Sequence, residues 1–231
     1  MDWDSLQPHL VELRTRLIRA IIVYVLVSFV MWFLHEKIIH FISQPVGKLY
    51  IFNVQDAFMV RFKVSLLSAL FLCFPYFVWE VWGFISPALY PKEKLAVGLI
   101  LLSTLLLFYT GAFLSVFVIV PRAVEFLLSF AGNFQLVIGA NQYLNFIFWS
   151  ILIFGILFEL PTAIGILARF GILNHKTLSS RRREFIVLIV ILVAVISPTV
   201  DAISLILMSL PLIILYEIGI WVARIVGDNK N

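Results

Sequence analysis

Residues 146–168 read FIFWSILIFGILFELPTAIGILA and carry a single charge, that of Glu159. A helix of this length crosses about 30 Å of hydrocarbon at roughly 1.5 Å per residue. A carboxylate at that depth costs at least about 2.5–3.5 kcal/mol, so it normally faces a cavity, a partner or an ion path. Glu159 is therefore a candidate polar site within a membrane. The alternative is a carboxylate bonded to a neighbouring helix or to backbone groups left unpaired near Pro161.

The rest of the chain is similarly apolar. Hydrophobic residues make up 62% of it and charged residues 13%, and the mean hydropathy is +1.07. So much apolar surface requires lipid as its solvent, which excludes a water-soluble globule. We expect an all-α integral membrane protein with six transmembrane helices, in a kinked and curved bundle with a concave face and short helices 5 and 6. Residues 1–231 would form a single polytopic domain, with spans at residues 17–34, 64–85, 95–120, 146–168, 185–196 and 202–223.

The placement of Lys and Arg predicts the orientation of these spans. If the N-terminus is cytoplasmic, twelve of the 17 Lys and Arg residues lie inside and five lie outside, at Lys37, Lys48, Arg61, Lys63 and Arg122. Both termini are therefore expected in the cytoplasm. The apolar run near the N-terminus ends without a small-residue cleavage site, so it is not read as a cleavable signal. The net charge of +4 reflects the same bias and does not indicate nucleic-acid binding.

Prolines and a short fifth span shape the expected bundle. Pro75, Pro121 and Pro161 each remove a backbone hydrogen bond, and we expect them to kink or bound spans 2, 3 and 4. Span 5, at residues 185–196, is only about 18 Å long before the following Ser-Pro stops it. Its length indicates a thinned bilayer or a water-filled dent, and the alternative is a span that is less tilted than its neighbours.

Two segments outside the membrane are expected to connect the spans. Residues 35–63 are long enough for structure of their own, with a turn at Pro45 and Gly47. Residues 121–145 form a second, less apolar loop.

Two carboxylates are predicted on the cytoplasmic side, where positive charge dominates. Glu12 precedes the first span, and Glu93 lies in the short loop between spans 2 and 3. Each could have a purely structural role. Glu12 can pair with Arg16 one helical turn on, and Glu93 suits the first turn of span 3 after Pro91. The functional reading is a pair of acceptors for guanidinium groups of a partner, because Arg and carboxylate form bidentate charge-assisted bonds.

Enzyme chemistry finds little support in the sequence. There is no phosphate-binding loop, no His-Glu-x-x-His and no pair of cysteines, so we predict no catalytic residue, no metal site and no cofactor. The internal Arg181-Arg182-Arg183 run superficially looks like a twin-arginine signal but is interpreted as an anchor of the cytoplasmic loop. Glu217 is interpreted as a carboxylate at a helix end that reaches lipid headgroups.

Taken in order, these motifs resemble those of the TatC family, the multispanning receptor subunit of the twin-arginine protein translocase. The first signature is His9-Leu10-x-Glu12-Leu13-Arg14-x-Arg16-Leu17, and the second is Trp82-x-Phe84-Ile85-Ser86-Pro87-Ala88-Leu89-Tyr90 followed by Glu93. Later matches are Phe117-x-x-x-Pro121, Phe158-Glu159-x-Pro161, Ser197-Pro198-Thr199 with Asp201, and Pro211 followed by Leu215-Tyr216-Glu217. The resemblance covers essentially the whole chain. It departs at Val200, where proline or another small residue is common, and in the short tail after Arg224.

The resemblance implies a receptor. Members of the family bind export signals with consecutive arginines at the cytoplasmic face, recruit single-span subunits of the TatA and TatB type, and export folded proteins with the proton-motive force. The implied location is the bacterial or archaeal cytoplasmic (inner) membrane, with membrane lipids and further protein copies as partners and no nucleic acid. Glu12 and Glu93 would accept the arginines of the signal, Arg14 would shape that site, and Phe84 and Tyr90 would flank it.

The resemblance also implies roles for three further residues. Glu159 would face a concave membrane pocket and meet a polar residue of a partner's transmembrane helix. Pro45 and Asp201 match positions on the outside face that hold the cap and the hairpin turn. The alternative function is a proton-coupled secondary transporter that uses Glu159, although the two halves of the chain show no internal repeat of the kind common in transporters.

Overall fold

A computed structural model describes residues 3–88, 91–129, 137–169, 171–196 and 202–228. In these ranges the chain is almost entirely helical, as the composition predicts. The α-helices, in chain order, are α1 Trp3–Ser43, α2 Val54–Ile85, α3 Pro91–Leu114, α4 Val120–Ser129, α5 Ala140–Phe158, α6 Leu160–Arg169, α7 His175–Ser180, α8 Arg182–Ile196 and α9 Ala202–Asp228. A 3₁₀ turn at Ser86–Ala88 follows α2, and a π-helical turn at Ser115–Ile119 joins α3 to α4.

Within the described ranges, five helical segments are long and apolar enough to cross a membrane. They match predicted spans 1, 2, 3, 4 and 6, and most extend beyond the predicted span ends because helical hydrogen bonding does not stop where the apolar run stops. The predicted short fifth helix is α8, with 15 residues. The expectation of a short sixth helix was wrong: α9 has 27 residues, and Pro211 lies inside it without ending it.

The chain divides into two compact units. Unit 1 comprises Met1–Leu105 with Val137–Phe148, and unit 2 comprises Leu106–Leu136 with Trp149–Asn231.

Unit 1 is built around α1 and α2, which run antiparallel. Near one end of the pair Arg16 meets Glu80, and near the other the rings of Trp32 and Phe58 lie 5.7 Å apart. Between them, the Tyr24 hydroxyl donates to the carbonyl of Leu66 at 3.2 Å. Much of the remaining surface of α1 is apolar and exposed, as a helix facing lipid requires.

The first connecting segment, residues 35–63, contains more helix than predicted. Helix α1 continues to Ser43, and α2 begins at Val54, so only the residues between them form a loop. The predicted turn is confirmed: the carbonyl of Ser43 accepts from the backbone N–H of Gly47 at 2.9 Å, and Gly47 has a φ of +74° that favours glycine. Tyr50 then pairs with residues 138–140 through two backbone hydrogen bonds of 2.9 and 2.8 Å.

Unit 2 relies on closely approaching helices. An added Cβ at Gly111 of α3 would lie 2.5 Å from the carbonyl oxygen of Phe154 in α5, and one at Gly155 of α5 would lie 2.7 Å from the Phe108 ring. Because these two positions lack a side chain, α3 and α5 can approach each other closely, as is common between helices in membranes. Helices α6, α7 and α8 pack against α9.

Two of the prolines mark local changes in helix geometry. The backbone N–H of Val120 donates to the carbonyl of Ser115, five residues back, directly before Pro121. Pro161 follows the junction of α5 and α6 at Glu159, where the Glu159 N–H donates to the carbonyl of Ile156, three residues back, at 3.0 Å. At Pro75, by contrast, α2 continues without interruption.

Candidate functional site

A single guanidinium bridges two carboxylates at one end of unit 1. Arg16 donates from Nε and Nη2 to Oε1 of Glu12 at 3.0 and 2.8 Å, and from Nη1 to Oε2 of Glu80 at 3.2 Å. The hydroxyl of Tyr76 donates to the other oxygen of Glu80 at 2.6 Å. We call Glu12, Arg16, Tyr76 and Glu80 the Arg16 cluster. It holds two negative charges against one positive charge.

The members of the Arg16 cluster differ in their access to solvent. The side chain of Glu12 is 37% exposed, that of Arg16 23% and that of Glu80 11%. The pairing of Glu12 with Arg16, the structural reading of Glu12, is thus confirmed. It still leaves Glu12 as the carboxylate that an incoming cation can reach, whereas Glu80 lies beneath it.

Local helix geometry explains how the cluster forms. Glu12 and Arg16 are one turn apart on α1, and Tyr76 and Glu80 are one turn apart on α2, so each pair shares a helix face. Gly83, about one turn beyond Glu80, provides the space for the guanidinium, because an added Cβ there would overlap Arg16 Nη1. The side chain of Arg16 therefore lies directly against α2.

Of the other residues predicted to bind the signal peptide, three lie on the helices that form or follow this cluster. Arg14 is exposed on α1, and Phe84 is half-buried beside Gly83 on α2. Glu93 lies in the first turn of α3, which begins at Pro91 as predicted. Tyr90 lies outside the described residues. Since Arg16 joins the Glu12 end of α1 to the last turns of α2, Glu12 lies at the end of α2 that leads towards Glu93.

Glu159, the single charged residue of residues 146–168, lies between the end of α5 and the start of α6. Its backbone carbonyl accepts from Ala163 N–H at 2.9 Å, and its Oε1 atom is buried within the chain. The helix interruption beside Pro161 gives this carboxylate a setting in which the regular backbone bonding of a span is broken.

Pro45 and Asp201 are the two residues predicted on the outside face. Pro45 is exposed in the turn that ends α1. Asp201 lies outside the described residues.

Sequence reasoning missed a polar cluster around the buried Asp56 at the opposite end of unit 1. Lys63 donates from Nζ to the side-chain oxygens of Asn141 and Asn145, at 2.8 Å in each case. Asn141 donates to Oδ1 of Asp56 at 2.9 Å, and the other oxygen of Asp56 accepts from Asn53 N and Nδ2. This outer cluster, formed by Asn53, Asp56, Lys63, Asn141 and Asn145, ties the start of α2 to the start of α5. The only sequence signal was the group of short polar residues at both helix starts.

Glu217 is also placed differently from its sequence interpretation. Its two oxygens receive Arg182 Nε at 3.0 Å and Arg182 Nη2 at 3.1 Å, a bidentate pair that joins α9 to α8. The neighbouring Tyr216 is buried, and its hydroxyl donates to the carbonyl of Leu178 at 2.8 Å. Arg182, interpreted as part of a general positive anchor, thus has a specific partner within unit 2.

Among the residues that the structure describes, no group of three or more His, Cys, Asp or Glu side chains is arranged to hold a metal ion.

Comparison with known proteins identifies the family of this chain. Residues 8–211 match the family described as Sec-independent protein translocase protein (TatC). The Sec-independent protein translocase protein TatC of Carboxydothermus hydrogenoformans is 32% identical over 231 residues, which cover 98% of this chain and 95% of that protein. The TatC protein of Aquifex aeolicus is 32% identical over 236 residues, which cover 98% of this chain and 97% of that protein.

A solved structure gives the same result. The crystal structure of a twin arginine translocase receptor, TatC, superposes with a TM-score of 0.77 at 30% identity and covers 94% of this chain and 99% of the other. The similarity extends over nearly the whole chain in sequence and in fold, and these relatives are named as translocase proteins rather than as solute transporters or enzymes. The chain therefore belongs to the TatC family and is a non-enzymatic, multi-pass membrane component of the Sec-independent protein translocase.

Proposed function

We propose that this protein is the signal-peptide receptor of its translocase, and that it binds signals with consecutive arginines at the end of unit 1 that holds the Arg16 cluster. One observation carries the proposal. Glu12 already binds a guanidinium through two hydrogen bonds and remains partly exposed, which is the chemistry that an arginine of a signal peptide requires. A carboxylate in that position selects arginine over lysine when both nitrogens of the fork are bound.

In this proposal Glu12 and Glu93 accept the two arginines of the signal. The start of α3 at Pro91 follows the end of α2 beside the Arg16 cluster, so the topology supports bringing both carboxylates to one site. Arg14 shapes the site, and Phe84 and Tyr90 flank it.

An apolar groove supports a second contact with the signal. Between α2 and α3 lies a cavity of about 270 Å³ whose walls include Trp79, Trp82, Gly98 and Leu102. A signal peptide carries its own apolar segment, and burial of that segment supplies binding free energy that exposed ion pairs lack.

Further steps of export involve other parts of the chain. Glu159 meets a polar residue in the transmembrane helix of a single-span partner of the TatA or TatB type, α8 provides a docking edge for such a partner, and Pro45 and Asp201 hold the outside face. The assembled translocase then exports folded proteins with the proton-motive force. We place the protein in the bacterial or archaeal cytoplasmic membrane as a single polytopic domain, with both termini in the cytoplasm, in accordance with the distribution of Lys and Arg.

Binding of a labelled peptide to the purified full-length protein tests this function. The peptide carries Arg-Arg before an apolar segment, and a matched peptide carries Lys-Lys. We expect Glu12→Gln and Glu93→Gln each to weaken binding of the Arg-Arg peptide about tenfold, as the loss of one charge-assisted bond implies. Glu125→Gln, which removes an exposed carboxylate of unit 2, is the control and should leave the Kd unchanged. Equal binding to wild type and to the Glu12→Gln, Glu93→Gln double variant would exclude the proposed site.

A further inference from the structure

We propose that Arg16 is an internal placeholder for the arginine of the signal, and that Glu80 is a positioning residue that retains Arg16 when the signal takes Glu12. The inference rests on the proposed function, since it concerns the same carboxylate. It adds a competitor for that carboxylate and a third acidic residue that determines how easily the competitor is displaced.

The geometry divides the guanidinium between two acceptors. Nε and Nη2 of Arg16 point to Glu12, whereas Nη1 points to Glu80. Both bonds to Glu12 end on Oε1, and the described residues donate no hydrogen bond to Oε2 of Glu12. A carboxylate can accept further donors on that second oxygen. A visiting guanidinium can therefore engage Glu12 before Arg16 has left it.

Burial determines which carboxylate the visitor takes and which one Arg16 keeps. Glu80 is about one-third as exposed as Glu12 and lies beneath the guanidinium, so a peptide arriving from outside meets Glu12. The Tyr76 hydroxyl holds Glu80 in place at 2.6 Å. When the bonds to Glu12 are given up, Arg16 retains its contact with a carboxylate that does not move.

The energetic role of Glu80 follows from the cost of leaving a partly buried charge unpaired. Removing one partner of such an ion pair is unfavourable, because the remaining charge is left uncompensated. Without Glu80, binding of the signal to Glu12 would leave Arg16 without any carboxylate partner. With Glu80, Arg16 changes from two acceptors to one, and the exchange at Glu12 costs less.

Gly83 contributes to the position of this guanidinium. An added Cβ there would overlap the Arg16 guanidinium, which would have to shift from its place between the two carboxylates. Gly83→Ala should therefore displace Arg16 from Glu80 and resemble the loss of Glu80 in its effect on peptide binding.

A double-mutant cycle on the full-length protein tests the inference, with the Kd of the Arg-Arg peptide as the readout. We expect Glu80→Gln to raise the Kd about fivefold and Arg16→Gln to lower it about fivefold, the scale of one partly exposed ion pair. In the Arg16→Gln background, Glu80→Gln should have no further effect, because no guanidinium remains to be retained.

Two controls separate this role from a general effect of charge or folding. Lys37→Gln removes an exposed cation from the same helix, far from the Arg16 cluster, and should leave the Kd unchanged. Arg16→Lys keeps the positive charge but lacks the fork that spans both carboxylates, so this variant should bind the peptide at least as tightly as wild type. Thermal unfolding of each variant shows whether it is folded, and Arg16→Met, which also removes the charge, serves for the cycle if Arg16→Gln does not fold.

The possible outcomes are distinct. If Glu80→Gln weakens peptide binding equally in both backgrounds, Glu80 acts independently of Arg16. If Arg16→Gln and Arg16→Lys both weaken peptide binding, Arg16 assists it. Either result overturns the inference while leaving the receptor function intact. Insensitivity of binding to Glu12→Gln would remove the proposed function itself, and the inference with it.

Discussion

At the scale of single residues, Asp56 shows how this membrane protein tolerates a buried charge. Its side chain is among the most buried of the charged side chains described, and it receives three hydrogen bonds within the outer cluster. Lys63 provides the compensating charge through Asn141, which bonds both residues. A buried carboxylate is tolerable when its acceptor sites are filled and a cation lies nearby.

Replacing Asp56 should therefore destabilise unit 1. Asp56→Ala leaves the Asn53 N–H and the Asn141 amide without their acceptor and removes the carboxylate to which Asn141 links Lys63. We expect the free energy of unfolding to fall by about 2–4 kcal/mol. Thermal and denaturant unfolding of the purified protein in detergent would measure the change.

A matched exposed carboxylate gives the reference for this measurement. Glu125 pairs with Arg122 at 3.3 Å, but both side chains are largely exposed. Glu125→Ala should change the free energy of unfolding by at most about 1 kcal/mol. If the Asp56 and Glu125 variants lost the same stability, the outer cluster would not be important for the stability of unit 1.

At the scale of secondary-structure elements, glycines determine how closely the helices of unit 2 approach. Gly111 and Gly155 lie at a crossing of α3 and α5, where the carbonyl of Phe154 and the ring of Phe108 occupy the space that a Cβ would need. Backbone atoms cannot rotate aside as a flexible side chain can. The contact is therefore sensitive to a single methyl group.

Gly111→Ala should destabilise the protein by about 1–3 kcal/mol, the usual cost of overpacking. The comparison is Gly98→Ala in the same helix, where the nearest atom to an added Cβ is on Trp82 at 3.9 Å, an ordinary contact. Since alanine favours a helix over glycine by about 1 kcal/mol, Gly98→Ala should be neutral or stabilising. Unfolding measurements that gave both variants the same sign would contradict the close crossing at Gly111.

The elements also show what the sequence could and could not predict. Apolar runs located the spans, and the four-residue spacing predicted the Glu12–Arg16 pair, because both signals are local. The partnership of Arg16 with Glu80 depends on how α1 lies against α2, which no local spacing records. Helix α9 continues to Asp228, past the predicted span end at residue 223, because helical hydrogen bonding does not stop where the apolar run stops.

At the scale of the whole molecule, the proposed function assigns separate tasks to the two units. The Arg16 cluster belongs to unit 1, whereas Glu159 belongs to unit 2. If signal recognition and partner assembly are separate, each should be lost without the other.

We expect Glu159→Ala to leave the Kd of the Arg-Arg peptide unchanged and to weaken co-purification with single-span partners. An interhelical polar contact in a membrane contributes about 0.6–2 kcal/mol, which corresponds to a loss of roughly threefold to thirtyfold in association. Quantitative pull-down from native membranes would measure the association, with Glu159→Gln as a variant that keeps hydrogen bonding. Undiminished recovery of the partners with Glu159→Ala would remove Glu159 from the partner interface.

Helix α1 has a mechanical property that follows from its composition. It is 41 residues long, about 60 Å, and after Pro8 it contains neither proline nor glycine, so it offers no joint at which to bend. One end carries Glu12 and Arg16, and the other is fastened where the Tyr143 hydroxyl donates to the carbonyl of Ile42 at 2.9 Å. Because α1 lacks such a joint, a sideways displacement of the end that carries Glu12 would be transmitted along the helix towards the end that is held at Ile42.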